Sequence, residues 1–391
     1  MNRDPLRLLS EARPADLDPR LPVAEETRQA ELAAAMASAV PSTEPGRAPR
    51  RAARSVRLGW GVGLVGVLAA AAVAVSVLPG EIPADGGTRG PSSGTVAPGT
   101  IALDPESLLL AAAQEAAVAP DTTGDYWKRV VSARSYARAG EGASAYTVVT
   151  TVHDENWTPN VPGGRQWFRH QNLGTVPASP QDEEVWRAQG SPTPIEVDLA
   201  RGKKPGAGLT PLETVPGPVE TGSSAPVGGD KVFWLGRNVS MKDLRELPAD
   251  PAKLRASLLR FYTGTDTESS SVPMERDAWL FRVVSGMVTD MPLRPKVLSA
   301  AFTVLSGLEG VTSVGETTDP EGRPAVAVSA LETTPNGVLE HRIYLDRARG
   351  QALASEVIVK TPAGMNAALP AGTPLTSTTV VSTTWTADHP S

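Results

Sequence analysis

From Leu58 to Leu78 the chain reads LGWGVGLVGVLAAAAVAVSVL, 21 residues with no charge and a single hydroxyl, Ser76. As a helix rising about 1.5 Å per residue, the run covers the roughly 30 Å hydrocarbon core of a bilayer. In water it would expose apolar surface on every side, and a core helix of this length normally keeps charge on one face. The flanks orient it. Arg47, Arg50, Arg51, Arg54 and Arg57 precede it with no acid between Gly46 and Arg57, whereas Glu81, Asp85 and Arg89 follow. This asymmetry predicts a single membrane pass, N-terminus in the cytoplasm and the remainder outside the cell. Trp60 falls at the inner interface and Pro79-Gly80 stops the helix. A cleaved signal peptide would need a leader of 57 residues before the apolar run, so an uncleaved signal anchor is the reading that fits. Gly59 and Gly63 form a GxxxG continued by Gly66 and Ala70, a spacing that permits helix pairing but arises readily in an Ala/Gly-rich run.

Composition narrows the function classes. The chain of 391 residues has a net charge of −6 and no concentrated basic domain, which argues against nucleic acid as a partner. It has no cysteine, so a disulfide framework, a thiol nucleophile, Cys-ligated zinc and a lipid-modified cysteine are all excluded. Arg outnumbers Lys and Ala is abundant, the bias of a high-GC bacterium.

Around the membrane run the chain divides into three further parts. Residues 1–57 form a cytoplasmic arm, largely without fixed structure; it holds 10 Arg against 8 Asp and Glu, and Leu32, Ala33, Met36 and Val40 at helical spacing predict one short amphipathic helix. It is too short to bury a core unaided, and serves either as a tail or as a docking arm. Residues 79–102 are a Gly/Pro/Ser linker. Residues 103–391 form the outer domain.

That domain opens with a helix capped by Asp104, with Pro105 in its first turn and a stripe of Leu108, Leu109, Ala112, Ala116 and Ala117, ended by Pro120. Strand signals follow at 126–137, 144–157 and 165–171, the first two flanking a turn at Gly140–Gly142. A Pro/Gly-rich excursion covers 174–228, with a short element at 183–188, and one strand is expected at 231–238. Three helices come next. The first is capped by Asp250 with Leu254, Leu258 and Phe261 inward; the others span 276–291 and 295–308, the last with Val297, Leu298, Ala301, Phe302 and Leu305 inward. Five strands finish the chain at 311–317, 324–332, 338–345, 352–360 and 375–385, with Asn336-Gly337 marking a tight hairpin. Strands, helices, strands predict an α+β domain: a curved antiparallel sheet with helices packed on one face, preceded by a single transmembrane helix.

Several motifs in this arrangement resemble a family of uncharacterised actinobacterial single-pass membrane proteins, often encoded beside extracytoplasmic-function sigma factors. They are Tyr126-Trp127-Lys128-Arg129-Val130, Leu247-Pro248-Ala249-Asp250-Pro251-Ala252-Lys253-Leu254, Gly310-Val311 to Gly315 followed by Thr318-Asp319-Pro320-Glu321-Gly322-Arg323, and Ile343-Tyr344-Leu345-Asp346. The outer domain is also similar to the LolA, LppX and RseB group. That resemblance implies a curved half-barrel whose concave face holds lipid or a partner peptide. The chain is longer than that group at 174–228.

Catalytic patterns are sparse. The four histidines, His153, His170, His341 and His389, form no HExxH, and GxSxG, Walker A and GxGxxG are absent. His153 and Glu155 would share a strand face, the one arrangement reminiscent of a metal site, set against an exposed polar strand end. Glu183 and Glu184 lie in a loop with nothing to fix their separation, which favours solvation over acid–base work. Asn238-Val239-Ser240 matches a glycosylation sequon by chance. Trp127, Trp157, Trp167, Trp234, Trp279 and Trp385 fall in predicted elements and are read as core. The expectation is therefore no catalytic residue, cofactor or metal, and no enzyme. It is a membrane-anchored extracytoplasmic binding or regulatory protein, with a sigma factor as the partner of residues 1–57 and a lipid or peptide as ligand of the outer domain. The alternative is a tethered lipid or lipoprotein carrier.

Overall fold

The computed structural model describes residues 104–197, 209–267 and 272–390. The predicted arm at 1–57, the apolar run at 58–78 and the linker at 79–102 lie outside the described residues. Among the described residues no helix is long and apolar enough to cross a membrane.

Helix α1, Pro105–Val118, begins where Asp104 accepts hydrogen bonds from the Ser107 backbone N–H and hydroxyl, both at 3.0 Å. These bonds satisfy a donor that a helix start leaves open. Its buried stripe is Leu108, Leu109, Ala112, Ala113 and Ala116. Ala117, expected on that stripe, is exposed, because the 3.6-residue pitch brings Ala113 inward and turns Ala117 off the face.

Strands β1, Tyr126–Ala139, and β2, Tyr146–Pro159, form the expected hairpin, registered from Tyr126↔Pro159 to Ala139↔Tyr146. Strand β3 runs over Gln166–Pro177, well past its expected end. The Pro/Gly-rich excursion is more ordered than expected. It holds helix α2, Pro180–Ala188, and strands β4, Ile195–Val197, β5, Thr210–Leu212, and β6, Glu220–Ser224. The single strand expected at 231–238 is instead a hairpin of β7, Lys231–Trp234, and β8, Arg237–Ser240, forming its own two-stranded sheet. The chain reverses because Leu235 and Gly236 both take positive φ, 55° and 68°, and a leucine there gives no warning in sequence.

Helices α3, Met241–Arg245, α4, Pro251–Leu259, α5, Arg276–Asp290, and α6, Pro295–Ser306, follow. Asp250 caps α4 by accepting from the Lys253 N–H at 2.8 Å, and Leu254 and Leu258 are buried as expected. Phe261 is not: it lies beyond the end of α4, is exposed, and carries the Arg237 guanidinium 3.7 Å above its ring centre.

The C-terminal strands are β9, Thr312–Thr318, β10, Pro324–Thr334, β11, Gly337–Asp346, β12, Gln351–Pro362, and β13, Pro374–Thr386. Gly337 has φ +107°, and a Cβ there would lie 1.9 Å from the Thr361 carbonyl oxygen, so the Asn336-Gly337 turn requires its glycine. The main sheet has eleven strands, ordered β6-β3-β2-β1-β13-β12-β11-β10-β9, with β4 and β5 attached beside β1. Among the described residues every strand pairing of this sheet is antiparallel, so the domain is α+β with one large antiparallel sheet.

The period-2 alternation sorts side chains between the two faces. Val326, Val328 and Ala330 of β10 and Ile343 and Leu345 of β11 enter the main core with α1, α4, α5 and α6, where Leu280, Phe281, Met287, Phe302 and Leu305 are almost fully buried. Each such side chain stabilises the fold by roughly 1.5–3 kcal/mol through burial. Trp279 and Trp234 are buried in this core, with Trp127 and Trp385 packed against it. The alternate residues, Ala327, Tyr344 and Ala354, form a second small cluster on the opposite face, beside the polar Glu340, Arg342 and Glu356. A third cluster joins Ala139, Tyr146 and Val148 to Ile195, Val197, Val185 and Trp186 at the α2 end of the sheet.

Candidate functional site

A cleft of about 490 Å³ opens where the sheet ends. Its geometry follows from mismatched strand lengths. Edge strand β9 pairs with β10 only from Thr318↔Pro324 to Thr312↔Ser329, while β10 continues to Thr334 with β11 on its other side. Among the described residues, Ala330 to Thr334 therefore have a strand partner on one side only.

Two β-bulges aim side chains into this space. In the β9–β10 pair Gly315 opposes Ala327 and Ser313 opposes Val328, leaving Val314 as the extra residue, 37% exposed on the cleft wall. Gly315 takes φ +87°, the left-handed conformation that such a kink needs. In the β11–β12 pair Thr361 opposes Val338 and Val359 opposes Leu339, leaving Lys360 over. Lys360 turns to Glu340, with Nζ 3.1 Å from Oε2. The exposed Leu331 and the buried Ala330 add apolar surface.

From the cleft a row of polar groups runs along the sheet face away from the helices. Arg342 donates from Nη2 and Nε to Glu340 Oε1, at 2.7 and 3.1 Å, and lies 3.3 Å from the Tyr344 hydroxyl. Tyr344 donates onward to Glu356 Oε2 at 2.7 Å. The opposite wall is Asp277, at the start of α5, and Glu309. The Asp277 carboxylate meets Arg255 at 3.2 Å and Arg276 at 3.3 Å and accepts from the Glu309 N–H.

The two carboxyls of this row are driven apart. Burial pushes Glu340 up, but bonds from Arg342 and Lys360 outweigh it and hold the group below the ordinary carboxylate range. At Glu356 burial dominates; Tyr344 and Arg342 only partly oppose it, and the pKa stays raised. Burial and the adjacent Glu356 carboxyl likewise raise the Tyr344 phenol. A carboxyl whose folded pKa is raised stabilises the fold below its unfolded value of about 4.5 and loses that contribution as pH rises through the folded value. Glu356→Gln keeps an acceptor for Tyr344. It is expected to raise the thermal midpoint at pH 7, leave it little changed at pH 4 and flatten the profile between, as read by differential scanning calorimetry.

The residues singled out by sequence are placed elsewhere. Glu155 does not join a metal set with His153; Lys128 at 2.7 Å and Arg169 at 3.1 Å hold it. Asp154 points to the other face and meets His170 Nδ1 at 2.7 Å. Among the described residues no group of three or more His, Asp and Glu is arranged to hold a metal ion. Glu183 pairs with Arg187 along α2, and Asp182 accepts from the Thr147 N–H at 2.7 Å, tying α2 to β2. Ser240 of the chance sequon caps α3 in a reciprocal box with Asp243. Trp167 lies outside the core, stacked on His389 with ring centres 4.7 Å apart. Sequence reading passed over Glu332 as well, which is buried between His341 Nε2 at 2.6 Å and Arg282 at 3.9 Å. The only sequence signal for it was a charge at an inward position of an alternating strand.

No protein-family model matches this chain, and no curated protein is significantly similar to it.

Proposed function

We propose that the chain is a membrane-anchored extracytoplasmic binding protein. Its outer domain engages a ligand at the edge cleft, and residues 1–57 carry the outcome to a cytoplasmic partner, a sigma factor in the reading that the family resemblance suggests. The observation that supports binding is the pair of bulges: Val314 and Lys360 are both surplus to their ladders and both line one open cleft. Bulges that re-aim side chains gather at functional edges. The anchor rests on the uncharged run at 58–78 and its Arg-rich upstream flank.

The absence of native cysteine makes a direct test available. Val381, an exposed side chain, and Ser38 of the arm are each changed to cysteine, and cells are treated with a membrane-impermeant maleimide. Val381→Cys is expected to label in intact cells and Ser38→Cys only after lysis; the reverse pattern, or labelling of neither before lysis, defeats the anchored topology. A photo-crosslinking side chain at Leu331 then reports the cleft's occupant by mass spectrometry. A protein adduct supports the regulatory reading and a lipid adduct moves the assignment to a tethered carrier. The same adduct from a crosslinker at exposed Val118, outside the cleft, removes the cleft from consideration.

A further inference from the structure

We propose that the cleft takes an extended peptide segment carrying a carboxylate, laid as an added strand along the open side of β10 at Ala330–Thr334. This rests on the binding reading above and names the class of ligand. Three features converge on it. The first is the backbone. Over Ala330–Thr334, β10 pairs with β11 through Ala330↔His341 to Thr334↔Gly337 and has no strand beyond it among the described residues. A strand with one open side offers main-chain donors and acceptors to a second chain.

The second is the apolar surface beside that side. Leu331 is 58% exposed and Val314, held out by its bulge, is 37% exposed, giving alternate side chains of an added strand a place to rest. The bulge in β9 also kinks the outer edge of the sheet, so the outer edge of β9 is a poor template, and β10 beyond Thr312 is left as the better one.

The third is charge. Arg342 and Lys360 converge on a single carboxylate, Glu340, and the Lys360 side chain is half exposed at the cleft. Across the cleft Asp277 is answered by Arg255 and Arg276, which leaves Glu309 as the lone acid there. The cleft lining itself holds two cations, Arg342 and Lys360, and three carboxylates, Glu340, Asp277 and Glu309; the two cations both lie on the β11–β12 side, against Glu340 alone among the lining residues. The excess lies on the side of Lys360, so a carboxylate of the incoming strand is directed there, away from Glu309.

The test adds synthetic peptides to the intact chain and follows backbone amide exchange by mass spectrometry. One peptide alternates Val and Thr and carries a single Glu; its counterpart carries Lys at that position. The acidic peptide is expected to slow exchange at Ala330–Thr334 about tenfold, with β6, the opposite edge, unchanged. Lys360→Gln is expected to weaken the acidic peptide about tenfold and to leave the Lys-bearing peptide no weaker. Equal protection by the two peptides overturns the charge argument. Protection at β6 or β9 in place of β10 overturns the site. If neither peptide protects any edge while Leu331 still crosslinks a ligand in cells, the peptide inference falls and the binding reading stands. If Leu331 captures nothing either, both fall.

Discussion

Replacing Arg129 with alanine is expected to destabilise the outer domain by about 3–5 kcal/mol, the loss typical of an uncompensated buried charge. Arg129 Nη2 lies 2.5 Å from Asp290 Oδ1, and each side chain is only 9% exposed. Asp290 is the last residue of α5, where the helix dipole disfavours an acid, so the carboxylate depends on its partner more than one at a helix start would. Trp127 of the same strand donates its indole N–H to the Asp290 carbonyl at 3.2 Å, so β1 holds both the side chain and the backbone of the helix end. Asp290→Ala is expected to be comparably harmful, because it strands a guanidinium whose Nε already lacks a partner. The double change Arg129→Met with Asp290→Leu should recover most of the loss, since a buried pair exchanged for apolar groups of similar volume is often near neutral. Urea unfolding followed by tryptophan fluorescence, with Arg129→Met and Asp290→Leu measured singly as well as together, gives the four corners of the cycle. Additive single effects would show that the pair is not coupled.

That pair illustrates which parts of the fold were open to reading in the sequence. Caps and turns are local, and they transferred: Asp104 and Asp250 cap the helices expected of them, and Asn336-Gly337 turns the expected hairpin. The α+β class followed from the order of those elements. Arg129 and Asp290 are 161 residues apart, and nothing at either position signals the other. The same holds for Lys360 and Val314. Each reads as one more residue of an alternating strand, and only the register of a neighbouring strand makes it surplus. The excursion at 174–228 misled for a different reason. Its strands β4 and β5 have three residues each, too few to display a period, and they exist because β1 and each other supply their hydrogen bonds. His153 and Glu155 were rightly placed on one face, but whether a carboxylate is free depends on what stands across the strand, and here Lys128 and Arg169 do.

Arg323→Ala is expected to cost about 2–4 kcal/mol and to loosen the β9–β10 turn before the rest of the sheet, from the number of charge-assisted bonds it removes. The motif Thr318-Asp319-Pro320-Glu321-Gly322-Arg323 gave a turn from sequence; the structure gives it a second task. The Asp319 side chain is fully buried and accepts from the N–H groups of Glu321 and Arg323, at 3.0 and 2.9 Å, and from Arg323 Nε at 2.6 Å. Arg323 then spends its remaining donors across the sheet, Nη1 on the Val380 carbonyl of β13 and Nη2 on the Leu353 carbonyl of β12, each at 3.0 Å. Arg134 of β1 reaches the same turn, pairing with Glu321 at 2.9 Å and donating to the Pro320 carbonyl. The turn is thus clipped to three strands that its own hairpin does not touch. Lysine cannot supply three donors in a fixed plane, so Arg323→Lys should restore less than half of the loss. Thermal unfolding gives the global loss, and amide exchange at Glu321 to Arg323 gives the local one. If exchange there stays as slow as in the parent while the midpoint falls, the arginine acts on the sheet and not through the turn. If exchange quickens first, the Arg323 guanidinium holds the β9–β10 turn in place and the sheet loosens from there.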